Sequence, residues 1–223
     1  MYLLQVSGGP EGFARLVYGL GVIPATLTGQ AELSARLVMA DPWVTLFTSQ
    51  FLHGGFMHLA GNMLYLWVFG DNVEDAMGHL RFLVFYLVCG AVAALAQVAV
   101  DPASATPTIG ASGAISGVLG AYLILHPRSK VLVPVGFIPL YLPAWLVLLF
   151  WFGMQFYAAT DGPAAGNVAW WAHIGGFVAG MALVLVFRYR AVPLFGLKDP
   201  PGGITIRRGA VWRRTGDRRG PWE

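Results

Sequence analysis

The chain has 223 residues, of which 57% are hydrophobic and only 11% charged, with a mean hydropathy of +0.63. Soluble domains carry roughly 25% charged residues, so an ordinary water-soluble enzyme is excluded. The net charge of +3 does not describe a nucleic-acid binder either, because nine Lys or Arg against three Asp or Glu lie from Arg188 onward and the rest of the chain is acidic.

Residues 1–57 hold no complete apolar span. Met1-Tyr2-Leu3-Leu4-Gln5-Val6 reads as the last turns of an apolar helix that begins upstream, followed by an outer loop up to residue 57. The first full helix is expected at 58–75. It opens on His58-Leu59-Ala60-Gly61-Asn62, an i, i+4 spacing that sets imidazole and amide on one face, one turn apart. A second helix is expected at 81–100 with Cys89 inside it; no other cysteine exists, which excludes an intrachain disulfide or a cysteine metal site. A third, at 112–126, follows Gly110-Ala111-Ser112-Gly113. The last two are expected at 140–159 and 169–188, the fifth opening on Trp170-Trp171-Ala172-His173 and running through Gly175, Gly176 and Gly180. Uncharged stretches at 82–100, 131–159 and 168–187 approach or exceed the ~20 residues that span a bilayer as helix. The fold class is all-α, a polytopic membrane helical bundle with a five-helix core at 58–188. Residues 189–223, rich in glycine and basic side chains, read as a flexible tail.

Orientation follows from Lys and Arg. Arg81, Arg128, Lys130, Arg188 and Arg190 mark cytoplasmic ends, while the links at 101–108 and 160–167 carry neither residue and mark the outer side. The C-terminus is therefore cytoplasmic, the bilayer is the chain's solvent, and the bacterial inner membrane is the expected location, since no organelle-targeting segment is visible. Trp145, Trp170 and Trp171 read first as outer-interface anchors, with lining an entry route as the other reading of Trp145.

Counting at 1.5 Å per residue from the cytoplasmic ends places Ser112 about 21 Å, His173 about 22 Å and His58 about 20–24 Å above that face. In a hydrocarbon core of about 30 Å they share one level below the outer edge. Polar groups at such depth ask for a partner or a function. A serine opening a helix brings backbone N–H groups and a positive dipole end, and His58 and Asn62 add donors, so the set can hold a developing oxyanion. His173 is the histidine on another helix at this depth and can serve as base. Every Asp and Glu lies in a link, the tail or a helix end, which points to a Ser–His dyad without an acid.

Plainer readings stand beside these. Gly110, Gly113, Gly117 and Gly120 form a helix-packing surface to which Ser112 belongs on spacing alone, and the glycines after His173 form another. An intramembrane histidine also serves as a proton relay or a satisfied core residue. His53 and His58, at i, i+5, do not share a face, so no metal is expected. His53 is expected to bond a backbone carbonyl in its turn, His79 and His126 to meet carbonyls at helix ends, and Glu74 to be a structural hydrogen-bonding group.

Taken in order, His53 with His58-Leu59-Ala60-Gly61-Asn62, Gly110-Ala111-Ser112-Gly113, and Ala172-His173-Ile174-Gly175-Gly176 with Gly180 resemble the rhomboid family of intramembrane serine proteases. The resemblance covers roughly residues 40–188 and takes in Trp43, Glu74 and Gly78. It implies a six-helix core whose first helix is largely missing here. It implies Ser112 as nucleophile, His173 as base, and His58, Asn62 and the Ser112 N–H as the oxyanion hole, with Gly110, Gly113, Gly176, Gly180 and His53 as structural neighbours. Substrates would be single-span membrane proteins cut within the bilayer near small residues, and no cofactor is implied. Trp43 is followed by Val44 where many members have arginine. Ser116 stands where some members place an aromatic ring against the histidine, so the ring's support must come from elsewhere. The competing readings are a non-catalytic rhomboid-like protein that binds client transmembrane helices, and a small transporter or channel.

Overall fold

The structure is a computed structural model that describes residues 1–135, 138–160 and 168–196, with two short strands beyond. The chain begins with α1 (Tyr2–Ser7), α2 (Gly9–Leu20), α3 (Pro24–Leu27) and α4 (Thr45–Thr48), then a 3-10 turn at Ser49–Phe51. Five longer helices follow: α5 (Phe56–Asp75), α6 (His79–Val100), α7 (Ser112–Leu125), α8 (Ala144–Thr160) and α9 (Trp170–Phe187). These are the five expected from sequence. α6 and α9, with 22 and 18 residues, are long and apolar enough to cross a membrane. α7 has 14 residues, so it spans only about 21 Å, less than the ~30 Å of a hydrocarbon core.

The start of the fourth core helix differs from the expectation of 140. Residues 130–143 instead form an antiparallel hairpin, β1 (Lys130–Val135) and β2 (Ile138–Pro143), with Lys130 opposite Pro143 and Pro134 opposite Pro139. Three prolines deny a helix here its N–H groups. A two-stranded ribbon has only edge strands, where proline is tolerated, and α8 begins immediately after Pro143.

α7 is the centre of the bundle: it packs on α5, α6, α8 and α9, and every one of its residues except Ser112 and Ile124 is buried. Its approach to α9 depends on glycine. A Cβ on Gly176 would strike the Gly113 carbonyl, and one on Gly180 the Gly117 carbonyl. The obstacles are backbone, so only separation of the helices relieves them, and packing is what holds helices together in lipid. Gly180→Ala is expected to cost about 1–3 kcal/mol and to lower the unfolding midpoint in detergent. Gly153→Ala on α8, where a Cβ meets open space, should stay within about 0.5 kcal/mol. Equal melting of the two variants would show that glycine does not set the crossing.

The Lys- and Arg-bearing links meet at one end. There the Tyr189 N–H donates to the Ala76 carbonyl (2.9 Å), and the Arg81 guanidinium lies 5.0 Å from the Tyr189 ring centroid. The N–H groups of Phe195 and Gly196 donate to the Ile124 and Leu125 carbonyls at 2.7 and 3.0 Å. Residues 189–196, expected to be part of a flexible tail, are thus docked, satisfying carbonyls that the end of α7 leaves unpaired. Of the remaining tail only β3 (Ile204–Thr205) and β4 (Arg213–Arg214) fall within the described residues. The expected outer link at 160–167 lies outside them beyond Thr160.

Two expectations at this end are corrected. Trp145 opens α8 beside the end of α7, its N–H on the Pro127 carbonyl (2.9 Å), so it lies opposite to Trp170 and Trp171. His79 begins α6, where N–H groups rather than carbonyls are exposed, and its Nδ1 pairs with the Glu74 carboxylate. His126, the C-cap of α7, does stand at a carbonyl end. At the other end Val22 and Thr108 pair their backbones, Ala25 N–H donates to Ser104 and Gly110 N–H to Ser49. The segment before α5 is thereby tied to the link that leads into Ser112.

Candidate active site

The turn into α7 requires glycine at Gly110. Its φ of +123° lies in a region that L side chains rarely adopt, and a Cβ would stand 2.8 Å from His58 Cε1. α7 then starts at Ser112, whose turn offers N–H groups with no partner within the helix. Ser112 Oγ lies 2.9 Å from His173 Nε2. That meeting follows from the packing already described, because Gly113 and Gly176 bring the first turns of α7 and α9 together.

The other imidazole nitrogen of His173, Nδ1, lies 2.8 Å from Oε1 of Gln155 on α8. The Trp151 ring sits 6.1 Å from the His173 ring at a 33° tilt, and Trp170 meets it edge-on at 5.8 Å. These three side chains supply the support expected from elsewhere than position 116. The Ser116 hydroxyl turns back to donate to the Ser112 carbonyl at 2.7 Å.

His58 and Asn62 face Ser112 from α5. Gly54 N–H donates to His58 Nδ1 at 3.2 Å, so Nδ1 carries the lone pair and Nε2 the proton, on the side of Gly110 and Ser112. Asn62 is only 8% exposed, and its Nδ2 donates to no protein atom among the described residues. With Ser112 and His173 these two side chains line a cavity of about 970 Å³. The arrangement can take a proton from a serine hydroxyl and hold negative charge on a neighbouring carbonyl oxygen.

His53 is 3% exposed and packs its ring edge-on against His58, with centroids 5.3 Å apart. Its backbone is clasped by the Gln5 amide, which donates to the His53 carbonyl (3.3 Å) and accepts its N–H (3.0 Å). The ring lies beside the Phe51 backbone, but among the described residues neither ring nitrogen makes a hydrogen bond of good geometry. Gly180 marks the helix crossing one turn beyond Gly176, away from the cavity. Sequence reasoning missed Gln155 and Trp151. The available signal was a carboxamide inside an apolar run, which is costly unless it is bonded.

A family model described as Rhomboid domain matches residues 40–190. The chain is 33% identical over 181 residues to Rhomboid protease GluP of Bacillus subtilis (strain 168), covering 80% of this chain and 31% of that protein. It is 30% identical over 189 residues to RHOMBOID-like protein 5 of Arabidopsis thaliana, covering 81% and 55%. It is 32% identical over 152 residues to the mitochondrial Rhomboid protein 1 of Saccharomyces cerevisiae, covering 62% and 40%. The chain thus spans between 31% and 55% of the length of these relatives.

Proposed function

The chain belongs to the rhomboid family of integral membrane proteins, and we propose that it is an intramembrane serine endopeptidase cutting single-span membrane proteins. The observation that carries this reading is the 2.9 Å contact between Ser112 Oγ and His173 Nε2 at the wall of a cavity that His58 and Asn62 also line.

His173 Nε2 takes the Oγ proton as Ser112 attacks the substrate carbonyl carbon. The oxygen becomes negative and is met by His58 Nε2–H, Asn62 Nδ2–H and the Ser112 backbone N–H. Collapse of the tetrahedral adduct breaks the peptide bond, and His173 returns its proton to the leaving amine. Water entering from the outer side then attacks the acyl ester with His173 again as base, which frees the acid and restores Ser112. The short α7 explains the placement: a serine at its start lies below the outer edge, within reach of water yet at the depth of an unwinding substrate helix. The Lys and Arg distribution sets the end of α9 in the cytoplasm. A bacterial relative at 33% identity supports the bacterial cell membrane as the location.

Detergent-solubilised protein treated with a fluorophosphonate probe should be labelled covalently, with labelling lost in Ser112→Ala and kept in Ser116→Ala. Labelling that survives Ser112→Ala would sink the assignment. A wild type that never reacts would favour the client-binding reading.

A further inference from the structure

Gln155 is the one carboxamide of α8 and is 7% exposed. Buried amides are costly unless both ends are bonded, and here both are. Nε2 donates to the Trp151 carbonyl, four residues back on the same helix, at 3.2 Å; Oε1 faces His173 Nδ1 at 2.8 Å. The first bond decides which way round the amide sits. A carbonyl can only accept, so Trp151 must be met by the NH₂ group; the flipped amide would oppose two carbonyl oxygens. With its oxygen toward His173, Nδ1 must be the protonated nitrogen. In a neutral imidazole the other nitrogen then holds the lone pair, and Nε2 is the atom 2.9 Å from Ser112 Oγ.

We infer that Gln155 is a positioning residue: its side-chain carbonyl accepts from His173 Nδ1–H, oriented by the Trp151 carbonyl, and fixes the tautomer that leaves Nε2 bare toward Ser112. The consequence for rate rests on the protease reading above. In soluble triads an asparagine in place of the aspartate fails because it can hold the wrong tautomer. The Trp151 carbonyl removes that freedom here, and a neutral amide avoids placing an anion at membrane depth. Trp151 acts twice, through its carbonyl on Gln155 and through its ring beside His173.

Protein labelled with ¹⁵N-histidine in detergent micelles reports the tautomer directly, the His173 signal being assigned by its loss in His173→Ala. Wild type is expected to show the Nδ1–H form and Gln155→Met a mixture of forms. Gln155→Glu should restore the wild-type form, since it keeps an acceptor at Nδ1 and, when neutral, its hydroxyl can donate to Trp151. Turnover of a single-span reporter should fall about 10–100-fold in kcat for Gln155→Met with KM within about twofold, and recover in Gln155→Glu. An Nε2–H tautomer in the wild type, which needs no variant to fold, would overturn the inference, as would a wild-type kcat in Gln155→Met. The expected tautomers in a protein that never reacts with fluorophosphonate would uphold the positioning and reject the protease reading alone.

Discussion

Ser112→Ala is expected to lower kcat/KM for a single-span reporter by about 10⁴–10⁶-fold, and His173→Ala by a comparable factor. The two atoms concerned are 2.9 Å apart and act on the same proton, so their losses should not add: the double variant is expected to be no slower than either single one. Alanine at Ser112 removes the attacking atom. Alanine at His173 leaves a hydroxyl that cannot lose its proton as it attacks. Neither change disturbs the α7–α9 glycine crossing, so unfolding midpoints in detergent should stay close to wild type. Cleavage that persists in Ser112→Ala would overturn the nucleophile assignment, and losses that multiply in the double variant would show two independent roles rather than one proton transfer.

Asn62→Leu should separate function from stability. Its Nδ2 is buried without an acceptor among the described residues, and leaving such a group unpaired costs about 1–3 kcal/mol. The donor becomes useful only when an oxyanion forms beside it. Removing it is expected to lower kcat by about 10²–10³-fold while KM changes little, because the lost bond belongs to the transition state. The same substitution replaces an unpaired amide with an apolar group of similar size, so the unfolding midpoint should lie at or above that of wild type. Unchanged kcat in Asn62→Leu would remove this residue from the oxyanion site. His58→Ala should act in the same direction, since Gly54 holds its proton on Nε2.

Much of the site was legible because it depends on distance along single helices. Ser112 begins its helix, His173 lies in the first turn of another, and His58 and Asn62 are one turn apart, so a count of residues from the charged ends set all of them at one depth. The hairpin at 130–143 could have been read from Pro134, Pro139 and Pro143, but the apolar run around them has the composition of a span. Trp145 was set at the wrong face because tryptophan favours both interfaces equally. His79 was misassigned because the polarity of a helix end depends on where the helix starts, and Gly78 rather than a later residue caps α6.

The sequence by itself determined the membrane setting, five helices, and which polar side chains lie level with Ser112, because hydropathy and helical rise are properties of each segment alone. Only the tertiary structure decided that Ser112 and His173 touch, that Gln155 and Trp151 of α8 hold the imidazole, and that residues 189–196 dock on α7. The Ser112–His173 contact depends on the glycine-set crossing of α7 and α9, and the α8 contacts depend on the rotation of that helix about its axis. A rotation that turns Gln155 toward His173 leaves no periodic trace in an apolar run, where almost every face carries the same kind of residue.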